Sequence, residues 1–290
     1  MGRRSKFQEA ALRAHINNNK QFVCFNKTHL VKDWLTPAQL EDPKSHIEQI
    51  AQAKKTATPP AQPTTTAKEI PIKDTHWTPE HDPCFVIANG ESRRNFDLNK
   101  LKHKGYIIGM NVLPVAEDFW PDALISVDIA TVKWICERNV PDRLEMWSYP
   151  RGGVKDPRVI KLDKDWGWSS GPTAARIALE KKNFKKIYII GMDFFGISKS
   201  GEIHEKAGTQ INNMYKGTAR YRSAGSSRTY FGNWLNQMVQ NVQNHPTVKF
   251  YHVMLPKQTS PGRLLEKPNW IDITYDQFDE HLQKMAKKES

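Results

Sequence analysis

Cysteine is scarce in this chain: three residues among 290, Cys24, Cys84 and Cys136, far apart and with no C-x-x-C pair. That excludes a disulfide-built scaffold and a structural zinc site, and it sets the expectation of reduced thiols in a cytoplasmic protein. Long apolar runs are missing too. No stretch reaches the roughly 18 apolar residues that a membrane helix needs, so no membrane span is expected. The opening residues MGRRSKFQEAALRAH lack the apolar core of a secretory signal, which adds the expectation of a protein not exported by that route. H-E-x-x-H, G-x-S-x-G and the Walker lysine pattern are all absent, which removes zincins, α/β-hydrolases and P-loop enzymes. Acidic charge is also in deficit, 31 Asp and Glu against 43 Lys and Arg, a formal net charge of +12. Such a surplus fits an anionic partner or simply basic solvated faces. The basic residues are spread along the whole chain rather than gathered in one run, which favours a small anion over a nucleic acid.

A hydrophobic fraction of 38% with nine tryptophans is enough to fill a core. Residues 1–50 read as a small N-terminal module with helical spacing at Phe7, Ala10, Ala11 and Ala14, too poor in apolar residues to fold alone and so a candidate for contact with a partner protein. Residues 51–82, rich in Ala, Thr and Pro, read as a linker. Residues 83–260 alternate short apolar runs with helical patterns. Phe85–Ala88, Tyr106–Gly109, Ala123–Val127, Met146–Tyr149, Lys186–Ile190 and Val248–Val253 are the expected strands, with helices between them. Alternation of this kind predicts an α/β fold of Rossmann-like type, a mostly parallel sheet flanked by helices. The segment from Arg151 to Asp165 reads as a surface excursion, and residues 261–290 as a C-terminal helical segment.

Two strand ends carry the polar residues. Phe85–Ala88, apolar throughout and buried on both faces in this reading, runs into Asn89-Gly90-Glu91-Ser92, followed by Arg93 and Arg94. Lys186–Ile190 runs into Gly191-Met192-Asp193. In open parallel sheets ligands bind beyond the carboxyl ends of the strands, where loop amides and helix N-termini receive anions. Glycine allows close backbone approach, Ser92 can donate to a phosphate or cap a helix, and Glu91 weighs mildly against an anion on that residue. Ser169-Ser170-Gly171-Pro172 reads as a second helix start. The expectation is that the Gly90 and Asp193 tips lie side by side over an opening lined with free amides. Asp193 and Asp128 could bind a ribose hydroxyl or a metal, or cap a helix. His204, in the polar loop after Gly196, could act as a general base or be a solvated loop histidine. Tyr215, Arg220 and Arg222 on the same loop fit a lid over an anionic or sugar substrate, or an RNA or protein contact.

In sequence order, VIANGESRRNFDLNKL, IIGMN, WSSGPTAARIAL and FKKIYIIGMDFFG resemble the motif series of the bacterial sialyltransferases of glycosyltransferase family 42, and are similar to the 6-hydroxymethylpterin diphosphokinase-like proteins that share such a core. The resemblance covers about Cys84 to Gly196. It implies a Rossmann-like transferase using a nucleotide-activated sugar, of CMP type, with no metal or other cofactor and an acceptor left undefined. Matched to that family, Asn89, Gly90, Ser92, Asn111, Ser170 and Gly171 surround the nucleotide. Asp193 and His204 are catalytic candidates from their place at the β-strand end and in the polar loop, not from the family match. Where the family carries a basic histidine, this chain reads Ala224-Gly225-Ser226-Ser227-Arg228. The alternative is therefore a non-catalytic binding or structural protein of the same fold, such as a bacteriophage virion component anchored by residues 1–82.

Overall fold

The computed structural model describes residues 77–150, 154–218, 221, 223, 226–227 and 232–285, and the backbone of two short strands, β1 (Phe22–Cys24) and β2 (Lys27–His29). The chain divides into two units, 1–70 and 71–290. In the first unit β1 and β2 pair antiparallel. The helical spacing and the linker expected within residues 1–76, and Arg220, Arg222, Ala224, Gly225 and Arg228, lie outside the described residues.

In the second unit, short runs of β-branched and aromatic residues build one eight-stranded sheet. Its strands are β3 (Cys84–Ile87), β4 (Tyr106–Met110), β5 (Ala123–Ile125), β6 (Glu145–Ser148), β7 (Val159–Lys161), β8 (Lys186–Ile190), β11 (Lys249–Met254) and β12 (Trp270–Thr274). They lie in the order β12-β11-β8-β3-β4-β5-β6-β7, every neighbouring pair parallel. A separate antiparallel pair, β9 (Gly196–Ile197) and β10 (Ile203–His204), follows the β8 tip. This is the α/β, Rossmann-like architecture that the alternating pattern predicts.

The central strands are continuous apolar runs because helices cover both faces of the sheet. Alternate residues divide between the two sides. Val86, Ile108 and Ile189 pack with Ala174, Ala178, Met238 and Val242 of helices α3 (Ser170–Arg176, continued by a π turn over Ile177–Lys181) and α4 (Gly232–Asn244). Phe85, Ile87, Ile107 and Tyr188 pack with Phe278 and Leu282 of helix α6 (Tyr275–Lys284). Helix α6 begins at a capping box in which Thr274 and Gln277 satisfy each other's amides. Between these elements come α1 (Leu113–Glu117), α2 (Ile129–Cys136) and α5 (Gly262–Leu265). Asp128 caps α2 by accepting from Ala130 N at 2.8 Å.

Two expectations are corrected. Part of the supposed surface excursion is the edge strand β7, which the sequence hides because only Val159 of its three residues is buried. The C-terminal segment is more than helical: Trp270–Thr274 forms the opposite edge strand, β12, and belongs to the same sheet.

The chain steps outward from β3 to β7 and then crosses back to lay β8 on the other flank of β3. Strand order therefore reverses between β3 and β8, and a crevice opens at the carboxyl ends of such a pair.

Candidate functional site

The tips of β3 and β8 do lie side by side. Ala88 N donates to Ile190 O at 2.8 Å and Gly90 N to Gly191 O at 2.7 Å, so the ladder runs past the strands into both loops. The amides expected to be free are occupied, however. Glu91 N donates to Asn212 Oδ1 at 2.8 Å, and Ser92 N to Asp193 Oδ2 at 3.0 Å. With Gly90 N already bonded, three consecutive amides of the first loop have partners within the chain, and that loop offers no amide cradle to a phosphate. The physical reason is Asp193 itself: a carboxylate delivered by the neighbouring strand takes the position a ligand anion would have filled.

Asp193 is thus a positioning group in this arrangement. Burial pushes its carboxyl up, against the pull of the Ser92 hydrogen bonds. Trp168 is partly buried against the core. Its backbone N donates to Tyr149 Oη at 2.9 Å, and its ring lies 4.8 Å from the Arg176 guanidinium carbon.

Arg93, expected to lend positive charge to a ligand, is buried at 1% exposure beneath the loop. Its guanidinium grips Glu117 with both terminal nitrogens, at 3.0 and 2.7 Å, and donates to Tyr215 Oη at 2.8 Å and to Ala88 O. Tyr215 in turn donates to Glu117. Burial raises the Glu117 carboxyl, but Arg93 and the Tyr215 hydroxyl outweigh it and hold the group below the usual carboxylate range. Tyr215 is accordingly buried as a pin for the 212–216 segment. Met214 N donating to Asn89 O at 2.9 Å holds the same segment to the first loop.

What remains open to chemistry is a set of side chains over β3 and β4. Asn111 sits at the β4 tip with φ 55, a left-handed conformation that asparagine tolerates. Its Oδ1 accepts from Ser126 Oγ at 3.1 Å and from Ser170 Oγ, at the start of α3, at 3.0 Å. Both acceptor positions are then used, and its amide nitrogen faces the other way, onto the Tyr221 hydroxyl. Asn89 Nδ2 donates to the same hydroxyl at 3.0 Å. Asn89 Oδ1 is buried with no hydrogen-bond partner among the described residues. Burial pushes the Tyr221 phenol up to about 12 even though hydrogen bonds from Asn111, Asn89 and, more weakly, Asn213 pull it down, so it stays protonated at neutral pH. Gly171 lies one residue into α3, where an added Cβ would meet Met192 Cε at 3.0 Å. Sequence reading missed Tyr221 as the partner of both asparagines, because it lies far along the chain from Asn89 and Asn111 in a loop without periodicity.

His204 stands apart, exposed on the β10 strand. Its Nδ1 accepts from Lys206 N at 3.1 Å and Ala207 N at 3.0 Å, so the neutral ring carries its hydrogen on Nε2. The outward nitrogen is a donor, which suits ligand binding better than proton abstraction. Among the described residues there is no cluster of three His, Cys, Asp or Glu side chains able to hold a metal, and no helix long and apolar enough to cross a membrane.

No family model matches this chain, and no curated protein matches it. Among solved structures, it is similar to the sialyltransferase CstII from Campylobacter jejuni in complex with a substrate analogue, cytidine-5'-monophosphate. The match has 12% identity and a TM-score of 0.35, over 62% of this chain and 82% of that one.

Proposed function

We propose that the chain binds a nucleotide over the tips of β3 and β4 and acts as a glycosyltransferase using a nucleotide-activated sugar of CMP type. One observation carries the reading: side-chain amides from two adjacent strand tips converge on a single oxygen, the Tyr221 hydroxyl. An oxygen that accepts two amide hydrogens has its own hydrogen left to give. Tyr221 thus offers a neutral donor to a phosphate oxygen of the donor substrate, where charge develops as the sugar departs. Asn89 Oδ1, buried and unpaired among the described residues, supplies the acceptor that a base edge or ribose hydroxyl requires. Ser170 and Gly171 open α3, whose first-turn amides have no partners within the helix. The motif series shared with the sialyltransferases of family 42 supports transfer as the reaction: the bond from anomeric carbon to phosphate oxygen breaks, and one to an acceptor oxygen forms. The acceptor and the group that takes its proton are unassigned. Arg220 and Arg222, neighbours of Tyr221 in sequence, are proposed to contribute charge to substrate binding. The virion alternative rests on residues 1–82, of which only β1, β2 and residues 77–82 are described, and no observation favours it.

Calorimetry with CMP, UDP and GDP tests the reading. Binding of CMP that Asn89→Ala abolishes, together with hydrolysis of a CMP-sugar, is the expected result. Absence of heat with all three nucleotides at millimolar concentration refutes it.

A further inference from the structure

The first loop separates two regions. Asn89 turns toward Asn111 and Tyr221, whereas Ser92 lines a groove of about 1010 Å³ bounded by the β9–β10 hairpin, the turn after β11 and the start of α6. This groove carries more cationic than acidic side chains among the described residues. His204, on its rim, presents Nε2–H because its Nδ1 is held by two backbone amides. Lys199 and Lys257 make no ion pair among the described residues, whereas the other three cations of the lining are held, Arg94 and Lys216 by Glu91 and Lys100 by Asp279. Among the described residues, five cationic side chains against three acidic ones leave the lining a surplus of two positive charges. On the floor, the Ser92 hydroxyl, in a residue only 4% exposed, and the Tyr275 hydroxyl are buried side by side, with Ser92 also against the Asp193 carboxylate. The Phe96 and Tyr275 rings, 5.4 Å apart, add an apolar wall.

We propose that this groove is a second ligand site, for a phosphate monoester of sugar size. A phosphate monoester carries about −1.5 to −2 charges at neutral pH and only acceptor oxygens on its phosphate, matching the surplus charge and the donors of the rim. The Phe96 and Tyr275 rings take the apolar face of the sugar. This site stands whether or not a nucleotide binds over β3 and β4.

Calorimetry of the full chain with glucose 6-phosphate, alone and with saturating CMP, tests the assignment, with glucose and glucuronate as comparators. Binding of glucose 6-phosphate, no heat with glucose, and indifference to CMP are expected. The Lys199→Met/Lys257→Met double variant, shown by its melting temperature to be folded, should weaken binding on the order of tenfold. Any one of four results overturns the proposal: no heat with glucose 6-phosphate, unchanged affinity in the double variant, displacement by CMP, or glucuronate binding as tightly.

Discussion

Gly90 and Asp193 approach so closely that a Cβ on the glycine would lie 2.4 Å from Asp193 Oδ2, and 2.5 Å from Gly191 O. The backbone at Gly90 is ordinary, with φ −70 and ψ 154, so it is contact and not conformation that requires glycine there. Gly90→Ala must part the two strand tips, and we expect a loss of about 1–3 kcal/mol, as for other overpacked sites. Gly171→Ala should cost well under that, since its Cβ meets only the flexible end of Met192. Urea denaturation of the two variants compares them directly; equal midpoints would contradict the contact argument.

Asp193→Asn should leave the fold intact, because the amide carbonyl still accepts from Ser92 N. Burial raises the folded carboxyl above its unfolded value near ~3.9. The folded state therefore holds this proton to higher pH, and the associated stability is full below the unfolded value and lost as pH rises through the folded one. Relative to wild type, Asp193→Asn should gain stability from pH ~4 upward and then level off. Denaturation at a series of pH values checks this, and a difference that does not change with pH would contradict it.

Glu117→Gln should behave with the opposite sign. The folded Glu117 carboxyl is held low, so its contribution is present above the unfolded value near ~4.3 and disappears as pH falls through the folded one. At neutral pH the variant leaves the buried Arg93 guanidinium short of its counter-charge, at a cost of roughly 3 kcal/mol, the low end for a broken buried pair. Arg93 keeps Ala88 O and the Tyr215 hydroxyl, and the Glu117 side chain is 22% exposed, which limits the loss. The gap from wild type should close below about pH 4, as measured by thermal melts across the acid range.

Tyr221→Phe removes the oxygen on which two amides converge while keeping the ring. We expect about 1–3 kcal/mol of destabilisation from the unpaired donors. Loss of CMP affinity should exceed that of Tyr215→Phe, whose hydroxyl is spent on Arg93 and Glu117. The reverse ranking by calorimetry would move the site toward Arg93.

The sheet was legible because β3, β4 and β8 are apolar runs ending at Gly, Asn or Asp, and burial on both faces leaves that mark. β7 and β12 escaped notice as edge strands, half of whose residues face outward and need no apolar character. Asn89 and Ser170 could be placed at strand and helix ends from local pattern, and Asn111 through the family resemblance. That Asp193 would occupy the Ser92 amide, or that Arg93 would be buried, could not, since each depends on a partner on a different element, about a hundred residues away for Asp193 and at the end of α1 for Glu117. Such pairings are fixed by sheet order, which residue type does not record.

That β8 arrives only after β7 has a consequence for synthesis. As the polypeptide leaves the ribosome, β3 to β7 can assemble while one side of Cys84–Ile87 still has no neighbour. Until Lys186–Ile190 emerges, the nascent chain carries an uncovered, wholly apolar strand edge at what will become its centre, a template for pairing with other chains. Truncation before residue 186 should accordingly yield aggregates and not a smaller folded domain.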